Sequence, residues 1–295
     1  MLDEGLRRRI EALNRGRLPS TGPSTATASL LAETSPPSRK ARPFVGLLER
    51  GDVVPNNSGE HLRIRLPLES LWPGGTRLVA ARQEHLRQKL ALANQAVEPI
   101  VVMNAEFAAM IAAMPDRALA LDLETCGLGG SALFLAGLLR HADDGPVIEL
   151  LLARNYAEEQ AVLESLWQIV AAHEVLLTFN GKSFDWPMVL DRSARYRIKP
   201  PVASDGANPR CEMLHLDLLH HARRRWRRLL PDCRLLTLEQ IVCRRKRVGD
   251  IPGHHIPAAY AEFVRTGFQR DMEAILYHNA MDLLTILDLA LRLAS

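Results

Sequence analysis

The sequence predicts an α/β fold, a mixed five-stranded sheet flanked by helices behind an N-terminal extension. Three observations predict it. From about residue 100, apolar runs of strand length alternate with amphipathic helical stretches. The apolar share, 47% of 295 residues, suffices for a sizeable core. The segment 17–43, with GRLPSTGPSTATAS and TSPPSRKARP, is rich in Pro, Ser, Thr and Gly and supplies none of that core.

In chain order, residues 1–16 place Leu2, Leu6, Ile10 and Leu13 on one face of a short helix. With the linker over 17–43 they form a flexible N-terminal segment, residues 1–43. Residues 44–99 read as a small accessory region, with weak strand character in HLRIRLPL and a helical pattern over Ala80–Ala96. The main domain is expected over 100–295. RALALDLET is an apolar run ending in carboxylates, the pattern of a buried strand. ALFLAGLLR and PVIELLLA form a hairpin around the turn Asp143–Asp144–Gly145–Pro146. Residues 156–173 repeat apolar positions at helical spacing, VLLTF is the fourth strand, and Met213–Asp217 is the fifth. The remainder is mostly helix.

Composition narrows the function classes. No apolar run reaches the roughly 18–20 residues that span a bilayer, and the N-terminus lacks an apolar signal core. A cytoplasmic protein with no membrane partner is expected. Cys126, Cys211, Cys233 and Cys243 form no CxxC pair, so reduced thiols are expected and the spacing of a structural zinc site is missing. Net charge is only +3, yet Arg192–Arg247 holds 15 Lys and Arg against 5 Asp and Glu. Such asymmetry points to a polyanion partner, or equally to a solvated basic face.

Three carboxylate-bearing segments carry the chemistry. Asp122 and Glu124 sit two apart on the first main-domain strand, so both side chains share a face at its C-terminal end. Two adjacent carboxylates repel unless a cation neutralises them, and hard divalent ions prefer oxygen ligands. Alone, the pair reads more simply as a strand running into a polar turn. Asp185, in LLTFNGKSFDWPMVL, follows a strand and opens a helix whose early Pro187 suits a first turn. Helix N-capping is its simpler role. Asp282 lies between apolar neighbours in the closing helix, where an unpaired charge is costly. His278 is four residues earlier and about 40° around the helix from Asp282. Tyr277 is displaced by about 140° and points elsewhere. His278 alone reads equally as a packed or surface histidine.

Together these segments resemble the DEDD 3′–5′ exonuclease superfamily, with DxE on a first strand, an Asp after a later strand and a closing Asp helix. The chain resembles more closely still the YprB-like ribonuclease H-like family of bacteria. DLETCGLGG with FLAGLL, TFNGKSFDWPMVL, HLDLLHHARRRWRRLLPDCRLLTLE, GDIPGHHIPAAYAEFVRTG and HNAMDLL carry the resemblance, over roughly residues 100–295. It implies a ribonuclease H-like fold and phosphodiester hydrolysis with two Mg²⁺ or Mn²⁺ ions about 3.5–4 Å apart. Asp122, Glu124, Asp185 and Asp282 are the implied metal ligands. His278, neutral near pH 7, is the expected general base. Better-known branches place a Tyr four residues before the last Asp, or a His five before. Here His278 stands at four and Tyr277 at five, so the base is open between them.

Nucleic acid, DNA or RNA, is the expected partner. Arg223, Arg224, Arg227 and Arg228 surround Trp226, and Lys182 lies in the GKSFD turn. Arginine pairs with phosphate through a planar fork and Trp stacks on bases. A core anchor is the simpler role for Trp226, and a solvated surface group for Lys182. Arg244–Arg247 forms a second basic run. His254 and His255 in GDIPGHHIP are expected to point apart and serve a turn. A nucleic-acid-binding domain with weak or lost catalysis is the alternative function. A small-nucleotide phosphohydrolase fits the long basic tract less well.

Overall fold

Seven strands and nine helices form among the residues described, 46–95, 103–127, 131–200 and 213–295, in this computed structural model. The strands are β1 (Asp52–Asn56), β2 (Gly59–Pro67), β3 (Ala118–Thr125), β4 (Leu133–Ala142), β5 (Gly145–Leu152), β6 (Val175–Thr178) and β7 (Leu214–Asp217). The helices are α1 (Leu68–Leu71), α2 (Gly75–Gln95), α3 (Ala105–Ala113), α4 (Glu159–Val170), α5 (Asp185–Arg195), α6 (Leu218–Trp226), α7 (Leu235–Ile241), α8 (Ile256–Thr266) and α9 (Arg270–Leu293). The expected helix over 1–16, the linker over 17–43 and Cys211 lie outside the described residues.

The sheet order is β1-β2-β5-β4-β3-β6-β7. β3 is an interior strand, antiparallel to β4 and parallel to β6, and its first four residues are buried, as a strand covered on both faces requires. The five strands expected from apolar runs all form. The sheet nevertheless has seven, since the β1–β2 hairpin of the 44–99 region pairs antiparallel with β5 and extends it. Unpaired backbone on the β5 edge is what that hairpin satisfies. Pro55, which has no N–H to donate, stands on the outermost strand.

α9 packs across β3, β4, β5 and β6. It is also long and apolar enough to cross a bilayer, which amends the expectation that no segment is. The cause is its run of Leu, Ile and Ala with few charges, and the role is internal: 89% of that stretch is buried within the fold. Glu273 on α9 accepts the backbone N–H groups of Leu47 and Leu48 at 2.9 and 3.0 Å. Glu159, a buried carboxylate at the start of α4, locks α5 to the sheet. It takes Arg192 Nε at 2.6 Å, Tyr196 Oη at 2.8 Å and the backbone N–H of Leu133 at 2.8 Å. With every partner satisfied, this network fixes the helix whose first residue is Asp185.

Candidate active site

β3 presents Asp122 and Glu124 to one cleft, as strand alternation requires. Asp185 is delivered to the same place by a tight turn. Asn180 adopts a left-handed conformation, φ +67°, and a Cβ at Gly181 would stand 2.5 Å from the Thr178 side chain. Asp217, buried at the end of β7, caps α6 through Leu219 N–H and also accepts Asn180 N–H at 2.8 Å and Lys182 N–H at 3.1 Å. The turn is therefore held from behind. In front, the N–H of Leu123 donates to Asp185 Oδ1 at 3.1 Å, stitching the α5 start to β3.

α9 closes the cleft. Asn279 Nδ2 donates to Asp122 Oδ2 at 2.8 Å and to the Asp122 carbonyl at 3.2 Å. This approach needs Gly137, the β4 residue paired with Asp122 of β3. A Cβ there would lie 1.7 Å from Asn279 Oδ1. On the preceding residue of α9, His278 Nε2 lies 3.3 Å from Asp282 Oδ2 and Nδ1 lies 2.8 Å from Asp250 Oδ1. Arg247, 3% exposed, joins the group: Nη2 reaches Asp282 Oδ1, Nε reaches Glu239 Oε2 at 2.5 Å, and Nη1 reaches Asp250 Oδ2 at 3.4 Å.

The electrostatics follow from this crowding. Burial, then repulsion from Asp282, Asp185 and Glu124, holds Asp122 well above the usual carboxylate range. Burial pushes Glu124 up to about 8, with His278 opposing. Burial also pushes Asp185 up to about 6 against the hydrogen bond from Leu123. Asp282 behaves oppositely. Burial works to raise it, but His278 and Arg247 hold it below the ordinary value. Burial likewise works against a charged His278, yet its bonds to Asp250 and Asp282 push it up to about 11. The expected neutral His278 does not hold in this arrangement, because both ring nitrogens face carboxylates. Tyr277 is buried, with its hydroxyl hydrogen-bonded to the backbone of Val248 and raised by burial.

Asp122, Glu124 and Asp185 are hard oxygen donors whose mutual repulsion a divalent cation would relieve, so the donor set fits such an ion in kind. Among the described residues, no three Asp, Glu, His or Cys side chains form a ready cation cage as placed. Both Asp282 oxygens are engaged by Arg247 and His278.

The residues expected to contact nucleic acid are all exposed. Lys182 is exposed, 3.9 Å from Glu106 Oε1. Arg223, Arg227 and Arg228 are exposed around the end of α6, and Arg224 Nη2 sits 2.7 Å from His221 Nδ1. Trp226 is half-buried against the core, with Arg225 5.8 Å over its ring. The second basic run splits by alternation: Arg244 and Lys246 are exposed, whereas Arg245 and Arg247 are drawn inward by Asp288 and Asp282. His254 and His255 do not point apart. A 3₁₀ turn over Gly253–His255 brings their rings to 4.2 Å.

Sequence reasoning missed Asn279, Arg247, Asp250 and Asp217. Gly137 in mid-strand was the available sign of a close approach, and the GDIPG block marked the loop of Asp250.

Residues 119–294, more than half of the chain, match the model of the RNase H superfamily. The chain belongs to that superfamily, and its fold is ribonuclease H-like. More particularly it is YprB-like: over 176 residues it is 33% identical to the uncharacterized protein YprB of Bacillus subtilis (strain 168). That match covers 59% of this chain and 41% of YprB, so the chain spans about two-fifths of that relative's length. A DNA polymerase of Pyrococcus glycovorans is 27% identical over 95 residues, 28% of this chain and 12% of the polymerase. The family B DNA polymerase of the archaeon Pyrobaculum calidifontis superposes with a TM-score of 0.48 at 13% identity, over 82% of this chain and 45% of that one.

Proposed function

We propose that this protein is a divalent-metal-dependent nuclease of the DEDD type that hydrolyses phosphodiester bonds of DNA or RNA in the 3′ to 5′ direction. One observation carries the proposal. A strand, a helix start and a closing helix converge four carboxylates, Asp122, Glu124, Asp185 and Asp282, and the last three stand close enough to Asp122 to raise its proton affinity. Asp122, Glu124 and Asp185 would hold Mg²⁺ or Mn²⁺, with Asp282 joining on exchange of a partner. Two such ions supply Lewis-acid charge at the scissile phosphate and make a water acidic. The chain's own groups do the positioning. Asn279 orients Asp122, the Leu123 N–H fixes Asp185, and Asp217 holds the turn behind it. His278, as the proton-transfer residue, is set to give a proton before it can take one. A base role requires Asp250 or Asp282 to release it. Three described cysteines are free, which fits a reducing cytoplasm.

A second reading, a binding domain with weak or lost catalysis, has one observation behind it: Arg247 and His278 already neutralise Asp282. End-labelled single- and double-stranded DNA and RNA, each with Mg²⁺, Mn²⁺ or chelator, decide between the two. Stepwise metal-dependent shortening from the 3′ end is expected. Asp122→Asn should lower single-turnover cleavage by more than the ~10²-fold typical of losing an outer partner of a metal ligand, with an unchanged circular dichroism spectrum. Near-normal turnover by the folded variant would sink the assignment.

A further inference from the structure

We propose a second, separate polyanion-binding track, running from an arginine cup around Asp288 to Lys89 and Arg224, that holds the phosphodiester backbone of a nucleic-acid strand away from the cleavage carboxylates. It begins at a buried charge that its partners outnumber. Asp288 on α9 is 1% exposed and meets three arginines from three segments. Arg82 of α2 reaches Oδ1 at 2.5 Å, Arg292 of α9 reaches Oδ1 at 2.8 Å, and Arg245 of the α7–α8 loop reaches Oδ2 at 3.3 Å. One carboxylate neutralises one guanidinium, so two positive charges are left over at side chains only 15–31% exposed. Like charges so placed repel, and an added anion relieves them. Each guanidinium also has five N–H donors, more than Asp288 can accept.

The surplus has an outlet. Arg82 and Arg292 line a cavity of about 390 Å³ together with Arg225 and Trp226 of α6. A neighbouring cavity of about 380 Å³ shares Arg225 and Ser295 with it and is lined by Lys89 and Arg224. The two meet at Arg225, so cationic groups follow one another along the molecule instead of surrounding one point. Among the described residues, the side-chain acids paired with this track are Asp288 and, through His221, Glu106, and Ser295, the last residue of the sequence, lines both cavities. The Ser295 hydroxyl turns back to the Leu291 carbonyl. A run of spaced cations matches repeated phosphates better than a single anion does. Arg245 is braced by the Trp72 ring, 4.9 Å from its guanidinium carbon, and by Thr285 at 3.3 Å. Asp288 is six residues beyond Asp282, about 9 Å along α9 and roughly 240° around it, so the cup faces away from the cleavage site.

The proposal rests on the nuclease reading only for the identity of the strand as substrate. Binding is therefore measured in chelator, where no cleavage occurs, by fluorescence anisotropy of labelled single-stranded DNA and RNA against the full chain over a potassium chloride series. Lys89→Gln/Arg225→Gln removes two track cations without touching Asp288. Its log–log salt slope should fall by about 1.4, about 0.7 per lost single-strand phosphate contact, for DNA and RNA alike. Arg223→Gln/Arg227→Gln removes equal charge from the exposed side of α6 and should lower the slope by less. Equal losses in the two double variants would mean diffuse attraction and overturn the track. An unchanged slope in the first, with unchanged thermal unfolding, would overturn it too. So would displacement of the oligonucleotide by inorganic phosphate as effectively as by unlabelled oligonucleotide, which would mark a single-anion site. Weakened binding with no cleavage by any preparation leaves the track standing and removes the nuclease reading. Cleavage with binding indifferent to the track does the reverse.

Discussion

Asp282 and Asp288 lie on one helix, and each is held by an arginine from the same loop, Arg247 for the first and Arg245 for the second. Their surroundings are inverted. Around Asp282 the acids outnumber the bases, with Asp122, Glu124, Asp185, Asp250 and Glu239 set against Arg247 and His278. Around Asp288 three arginines share one carboxylate. An acid in the first setting competes for cations, and in the second it organises them. On the two readings proposed, the same residue type on the same helix would serve a positive ion at one point and a polyanion at the other. The sign of the surplus decides which, whatever the depth of burial.

The largest effect that would break this contrast belongs to the acidic side. His278→Gln removes a group bonded to both Asp250 and Asp282. Single-turnover cleavage with saturating metal should fall by roughly 10²–10⁴-fold, the range for losing an acid–base group. Tyr277→Phe, whose hydroxyl engages the Val248 backbone, should do far less. If the tyrosine variant is the crippled one, the roles must be exchanged.

On the basic side, Asp288→Asn leaves three arginines without their carboxylate. Removing one partner of a fully buried pair costs about 3–5 kcal/mol. Arg82 and Arg292 are near 30% exposed, so solvent screening reduces this to about 2–3 kcal/mol. Urea denaturation should show the loss. Asp282→Asn, by contrast, leaves Arg247 paired to Glu239 and Asp250 and should cost less stability. The reverse order would show that the two acids are not differently employed.

The smallest effect sharpens the contrast through pH. Glu124 and Asp185, raised to about 8 and about 6, bind protons in the folded state that the unfolded chain, with pKa values near 4, gives up. The folded form therefore gains from protonation between about pH 8 and 4, and metal-free stability should fall as pH rises through 6 to 8. His278, raised to about 11, adds a loss with the same sign at higher pH. Magnesium should flatten the 6-to-8 slope in thermal melts, because cations replace protons on the carboxylates. A metal-free slope of opposite sign would refute the electrostatic description of the cleft.

Much of this was legible in the sequence for a physical reason. Strands buried on both faces must be continuous apolar runs, so the five main strands and the DxE on the first of them could be read directly. The i, i+4 spacing of His278 and Asp282 likewise put them on one face. What escaped reading had no period. The β1–β2 hairpin is an edge element whose pairing is set by the open side of β5 and not by its own pattern. The Arg244–Arg247 run looks like one basic patch, yet buried acids 35 to 43 residues away pull in alternate members. Asn279 and Asp217 act through hydrogen bonds to residues 157 and 37 positions distant, and no local pattern announces such partners.

Gly137 illustrates how little material such an arrangement needs. What it contributes is clearance: the missing methyl lets Asn279 sit against β4 and reach Asp122. A side chain there would have to evict the asparagine or lift α9 from the sheet. That helix is a single rigid rod carrying His278 and Asp282 on one flank and Asp288 on another. Lifting it would move all three at once, so a residue with no side chain sets the tolerance to which both charged centres are assembled.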